Sequence, residues 1–133
     1  MRAALKPGGR LAVQCGGAGN IDRLRETTRA VQAREPYAPH FAGFEEPWLY
    51  ASAEESEDRL EAAGFDDARC RLQPWQVTPP SPAEFLATVC LGPHIDRLPE
   101  GLRDPFVADI LATEPEPLTL DYVRLNIAAR AFS

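Results

Sequence analysis

The residue types and spacings that suggest chemistry lie in two stretches. The first is Gly16-Gly17-Ala18-Gly19-Asn20, directly after the apolar run Arg10 to Cys15 (RLAVQC). A glycine-rich loop between a strand and a helix is a common seat for a phosphate, because backbone N–H groups and the helix N-terminus point at the anion. A dinucleotide fingerprint needs G-x-G-x-x-G there, and an acidic residue about 20 residues later at the end of a second strand. Gly17 and Gly19 fit the first two places, but Asp22 stands in the third. Its carboxylate would repel a phosphate, and the next helix leads into EPYAPHFAGF rather than a second parallel strand. The loop is therefore expected to be a βα turn, with Asn20 as the N-cap of the helix and no phosphate cradle.

The second stretch is Glu35 to Tyr50 (EPYAPHFAGFEEPWLY), which carries Tyr37, His40, Phe41, Phe44, Trp48 and Tyr50 among prolines. Aromatic rings in an irregular segment either seal a core or line a pocket, and the sequence leaves both open. A thiol–imidazole pair of Cys15 with His40 is a conceivable nucleophile, but nothing in the spacing requires it. No G-x-S-x-G, HExxH or Walker loop occurs. Cys15, Cys70 and Cys90 form no CxxC and are expected to be small buried hydrophobes, and two histidines add little to a zinc site. Glu45-Glu46, Glu54-Glu55 and Asp66-Asp67 are expected to be helix caps and solvated faces.

The elements that position these residues are those of a single small domain spanning residues 1–133. A net charge of −6 lacks the basic footprint of a nucleic-acid binder. No apolar run approaches the roughly 18 residues of a membrane span, and MRAALKPGG lacks a signal-peptide core, so no membrane partner and a cytoplasmic location are expected. Met1 to Lys6 has the pattern of the last turn of a helix, stopped by Pro7 and Gly8-Gly9. Arg10 to Cys15 fits a strand, and Ile21 to Arg34 a helix with Ile21, Leu24, Thr28 and Val31 on one face. Ser52-Ala53-Glu54-Glu55 is a capping box opening a second helix. Asp67 to Val77 alternates as a strand disturbed by Pro74. Ser81-Pro82-Ala83-Glu84 is a second capping box, for a helix running to Gly92. A further helix is expected from Asp104-Pro105, burying Phe106, Val107, Ile110 and Leu111, and a last strand over Leu118 to Phe132.

In that order, LKPGGRLAVQ, LEAAGFDDARCRL and LTLDYVRLNIAARA resemble the C-terminal half of class I S-adenosylmethionine-dependent methyltransferases. They look like the fifth strand with the helix end before it, the sixth strand with its preceding helix, and the antiparallel seventh strand. The branch is that of small-molecule methyltransferases similar to trans-aconitate methyltransferase. The resemblance implies an α/β class: a partial Rossmann-like methyltransferase fold, with a three-stranded mixed sheet (last strand antiparallel) and flanking helices. It also implies that S-adenosyl-L-methionine belongs to the complete fold, and that this chain alone, lacking the family's N-terminal cofactor motifs, binds none.

The resemblance places the methyl acceptor, a small molecule, at the end of the fifth strand. That makes Gln14, Cys15, Gly16 and Asn20 acceptor-side residues. Residues 35–50 stand where the family carries a lid, so Tyr37, Phe41 and Trp48 join them, with His40 as general base. Two readings follow. In the first the chain is the acceptor-side segment of an enzyme, inactive without a complementing N-terminal half. In the second it is a non-catalytic remnant or dimerisation module, whose exposed sheet edges pair with a second copy.

Overall fold

The alternating run RLAVQCG forms the first strand, β1 (Arg10–Gly16), and the amphipathic run after it forms α1 (Asp22–Gln32). In the computed structural model, which describes residues 4–131, these are followed by α2 (Ala53–Ala62), β2 (Phe65–Val77), α3 (Pro82–Phe85), α4 (Gly92–Asp96), α5 (Glu100–Thr113) and β3 (Leu120–Ala131). The expected helix end at Met1–Lys6 and strand end at Phe132 lie partly outside the described residues.

The three strands are ordered β1-β3-β2. β1 runs antiparallel to β3, with Arg10 opposite Arg130 and Gly16 opposite Arg124. The expected antiparallel last strand is present. The expected mixed sheet is not: β3 lies between the other two, so every neighbouring pair is antiparallel.

The chain divides into two compact units. The first holds the described residues up to Asn20, Leu49–Trp75 and those from Tyr122 on. Its core forms because β3 alternates: Ala129 and Ala131 turn to one face, where they meet Phe65, and Leu11, Leu60 and Ala68 pack around them. α2 supplies Leu60, and its start is built as expected. Ser52 Oγ accepts from the Glu55 N–H at 3.1 Å, and the Glu55 carboxylate accepts from the Ser52 N–H at 3.3 Å. On the opposite face, Gln14, Asn126 and Gln73 form a chain of side-chain amide bonds of 2.8 and 3.1 Å across the strands.

The second unit holds Ile21–Trp48 and Gln76–Asp121. Here α1 lies against α5 and buries Leu24, Thr28 and Val31, while α5 buries Phe106, Val107 and Ile110. Leu111 is only half-buried. Three boundaries differ from expectation. α5 begins at Glu100, after Pro99 in an extended conformation, and takes Pro105 inside it rather than at its start. The single missing N–H at Pro105 is tolerated because it falls in the second turn, next to the end whose donors lack helical partners anyway. The Ser81 capping box does not form: Ser81 makes no side-chain cap bond. The helix it was to open also breaks, because Leu86–Cys90 winds as a π turn in which the Leu91 N–H reaches the Leu86 carbonyl at 2.8 Å. That wider turn brings Leu86, Cys90 and Leu91 all inward.

Candidate functional site

The residues expected to act divide between the two units. Gln14, Cys15, Gly16 and Asn20 belong to the first, and Tyr37, His40, Phe41 and Trp48 to the second.

At the end of β1 the Gly16–Asn20 loop is bound to its own unit. The Gly17 N–H donates to the Val123 carbonyl at 2.9 Å, Ala18 N–H to Ala51 at 2.9 Å, and Asn20 N–H to Gly17 at 3.0 Å. These amides are therefore committed to the chain itself. The glycines have an equally internal cause. A Cβ on Gly16 would stand 2.8 Å from the Tyr50 ring, and one on Gly17 only 2.5 Å from Leu72 Cδ2 and 3.0 Å from Leu125 Cβ. Close packing of strand, loop and neighbouring side chains requires glycine there, whether or not a ligand is bound. Three of the five loop amides, those of Gly17, Ala18 and Asn20, are thus turned away from any phosphate.

Asn20 is not the N-cap of α1. It is 5% exposed, and its Oδ1 accepts from the Val123 N–H at 2.7 Å, while Ile21 takes the cap position in a left-handed conformation with φ 48°. A buried acceptor facing a strand N–H wins over a cap at the surface. Gln14 and Cys15 are exposed, which corrects the expectation that all three cysteines are buried; Cys70 is half-buried and Cys90 buried. Cys15 stands near the end of an edge strand, with β3 on one side only. Burial, reinforced by the Glu57 carboxylate, raises the Cys70 thiol above its ordinary pKa, away from the thiolate a nucleophile needs. Gly17→Ala tests the packing account. The methyl has no room, so the midpoint of thermal unfolding falls, at a cost of about 1–3 kcal/mol. An unchanged midpoint would show that the loop has slack for a ligand.

In the second unit, residues 35–48 fold as an irregular segment around one short 3₁₀ turn, Ala38–Phe41. Its rings converge on His94, a residue the sequence reading did not select. Phe44 lies 4.7 Å from the His94 ring centroid, Trp48 5.0 Å, Phe41 6.1 Å and Phe106 6.4 Å. Tyr37 packs edge-on against Phe106 at 5.1 Å and donates its hydroxyl to Asp109 Oδ2 at 2.6 Å. Burial first, then that bond, pushes the Tyr37 hydroxyl up to about 12. Tyr37, Phe41 and Trp48 are thus brought together through Phe106 and His94, whereas His40 stays half-exposed on the 3₁₀ turn, outside these ring contacts.

His94 itself is fully buried, and neither Nδ1 nor Nε2 has a hydrogen-bond partner. Desolvation lowers its pKa to about 4, against a weaker upward pull from Glu46. Glu46 is held below its ordinary value chiefly by its bond to Arg29, with a further bond to Arg25 at 3.3 Å. The imidazole is therefore neutral at pH 7, with one donor and one acceptor enclosed by aromatic faces. A signal for it does exist in the sequence: Leu91, His94 and Leu98 follow at spacings of three and four, and all are buried.

Among the described residues no group of three or more His, Cys, Asp or Glu comes together to hold a metal ion, and none of the described helices is long and apolar enough to cross a membrane. No protein-family model matches the chain, and no curated protein matches it.

Proposed function

We propose that this chain is the acceptor-side segment of a class I S-adenosylmethionine-dependent methyltransferase acting on a small molecule, and that the cofactor is held by residues outside these 133. The observation that carries the reading is β3: a closing strand antiparallel to β1, following a strand–loop–helix unit introduced by LKPGG. The Gly17, Ala18 and Asn20 amides, bonded within the chain, and the close packing at Gly16 and Gly17 support the second half of the proposal.

No chemical step is assigned to the cofactor here. What these residues supply is an apolar enclosure. The rings of Phe41, Phe44, Trp48 and Phe106 exclude water from His94, whose two ring nitrogens are left without a hydrogen-bond partner inside the enclosure. His94, not His40, is the imidazole inside the aromatic cluster, so His40 is left without the enclosed setting that the general-base role asks for.

Calorimetry with S-adenosylmethionine tests the reading. The 133-residue chain is expected to give no binding heat in the micromolar range. The same chain extended by the in-frame sequence encoded upstream, or mixed with a separately encoded complement, is expected to bind. A micromolar dissociation constant for the 133 residues alone would overturn the acceptor-side assignment. Upstream DNA that encodes no glycine-rich strand and loop, with no complementing gene, would favour the non-catalytic reading, for which the open edge of β1 is the supporting observation.

A further inference from the structure

The loop between α5 and β3 opens with Glu114-Pro115-Glu116-Pro117. A residue before proline is driven out of the helical region, so Glu114 turns extended, with φ −81° and ψ 151°, and α5 stops. Arg23, in the first turn of α1, ties this loop to the start of β3. Its Nε lies 3.2 Å from Glu114 Oε2, and its Nη2 donates to the Thr119 carbonyl at 2.6 Å. Its backbone N–H donates to Asp121 Oδ2 at 3.4 Å.

A cavity of about 400 Å³ lies against this junction, with Arg23, Gln76, Glu116, Thr119 and Asp121 as its polar walls. Through Pro115, Glu116 and Pro117 it adjoins a space of about 500 Å³, walled further by Pro79, Pro80, Leu111 and Leu118. All of these residues belong to the second unit, and none to β1. Volumes of this size, apolar along one side and polar at one end, are those of small-molecule sites. Walls built on proline also lose little freedom when a ligand settles on them.

Charge decides which ligand fits. Glu114, Glu116 and Asp121 stand against the single guanidinium of Arg23, which Glu114 and the Thr119 carbonyl already engage. Among the described residues neither Glu114 Oε1 nor Asp121 Oδ1 has a hydrogen-bond partner, although both atoms are buried and the Glu114 side chain is only 2% exposed. A buried carboxylate oxygen without a donor is costly, and a ligand that brings a donor recovers that cost. An anion would be repelled there. A divalent metal needs several converging oxygens, and no three ligating side chains come together among the described residues.

We propose that this cavity binds a small organic cation, a primary ammonium or a guanidinium carried on an apolar body. The head donates to Asp121 Oδ1 and pairs with Glu116, and the body lies along Pro115, Pro117 and Leu118. Nothing in this binding depends on methyl transfer, so each proposal can fail while the other stands.

Hexylamine is the probe, with hexanoate and hexanol as controls of the same apolar length. In an NMR titration of the 133-residue chain, hexylamine is expected to shift the amides of Gln76, Glu116, Thr119 and Asp121 saturably, with a dissociation constant of about 1 mM. Hexanoate is expected to shift none of them, and hexanol to bind about 10-fold more weakly. Asp121→Asn keeps an acceptor for the Arg23 N–H but removes the charge, and should weaken hexylamine about 10-fold. Glu116→Gln, at an exposed position, leaves the fold untouched and should weaken it about 3-fold. Hexanoate or hexanol binding as tightly as hexylamine overturns the proposal. So does the absence of saturable shifts up to about 20 mM, or an affinity indifferent to both substitutions.

Discussion

With His94 replaced by phenylalanine, the protein resists acid better than the wild type. In the folded wild type, desolvation holds the His94 pKa at about 4, against 6.5 for an unhindered imidazole. Between those values the unfolded chain takes up a proton that the folded chain refuses. Stability therefore falls as pH drops below 6.5, and the loss levels off below about 4. The full difference corresponds to about 3 kcal/mol. Carboxylates also titrate in this range, so the quantity to follow is the difference between wild type and His94→Phe in urea unfolding. It should widen by about 3 kcal/mol from about pH 7 to about pH 4. The Glu46 carboxylate works against the shift, and the Arg97 guanidinium lies 5.4 Å from the centroid of the neighbouring Phe44 ring. A wild-type-minus-variant difference that stays constant with pH would mean that the imidazole reaches water.

Phe106→Ala is expected to cost about 3–5 kcal/mol, the largest loss of any single truncation here, because Phe106 is fully buried and no compact rearrangement of its neighbours fills a phenyl-sized void. The second effect is more specific. Phe106 forms one wall around His94 and also carries Tyr37 and Phe41. Removing it lets water approach the ring, so the His94 pKa should move up toward 6.5 in the molecules that remain folded. Urea unfolding reads the first effect, and proton NMR of the imidazole against pH reads the second. A large stability loss with an unmoved titration would assign Phe106 to general packing and detach it from the site.

Regular periodicity made most of the fold legible. Alternation marked β1, β2 and β3 to within a few residues, and the Ser52 box marked the start of α2, because each is a local pattern with a local cause. The misses are places where distant partners decide. Asn20 abandoned its helix for the Val123 amide, about a hundred residues away in sequence, and Ser81 stood before a helix that a π turn cut short. Sheet order was equally out of reach, since nothing in the alternation of β3 says that it lies in the middle. In the site, the aromatic stretch was recognisable from composition, but its focus was not. His40 was conspicuous because it sits among the rings in sequence. His94 sits among them in space, brought there from α4, and its only local mark was a polar residue in an apolar stripe.

The central place of the last strand also bears on how the protein is made. β1 and β2 have no hydrogen-bonded contact with each other except through β3. During synthesis, β1 leaves the ribosome more than a hundred residues before the strand that pairs it. At about 5–20 residues per second, it waits for several seconds for that strand. β1 thus gains β3 as a neighbour only after Leu120 has been made, and a nascent chain arrested before that residue carries the uncharged, proline-free run from Leu11 to Gly16 without that neighbour. Such a strand is a target for chaperones, and in their absence a nucleus for aggregation between neighbouring nascent chains.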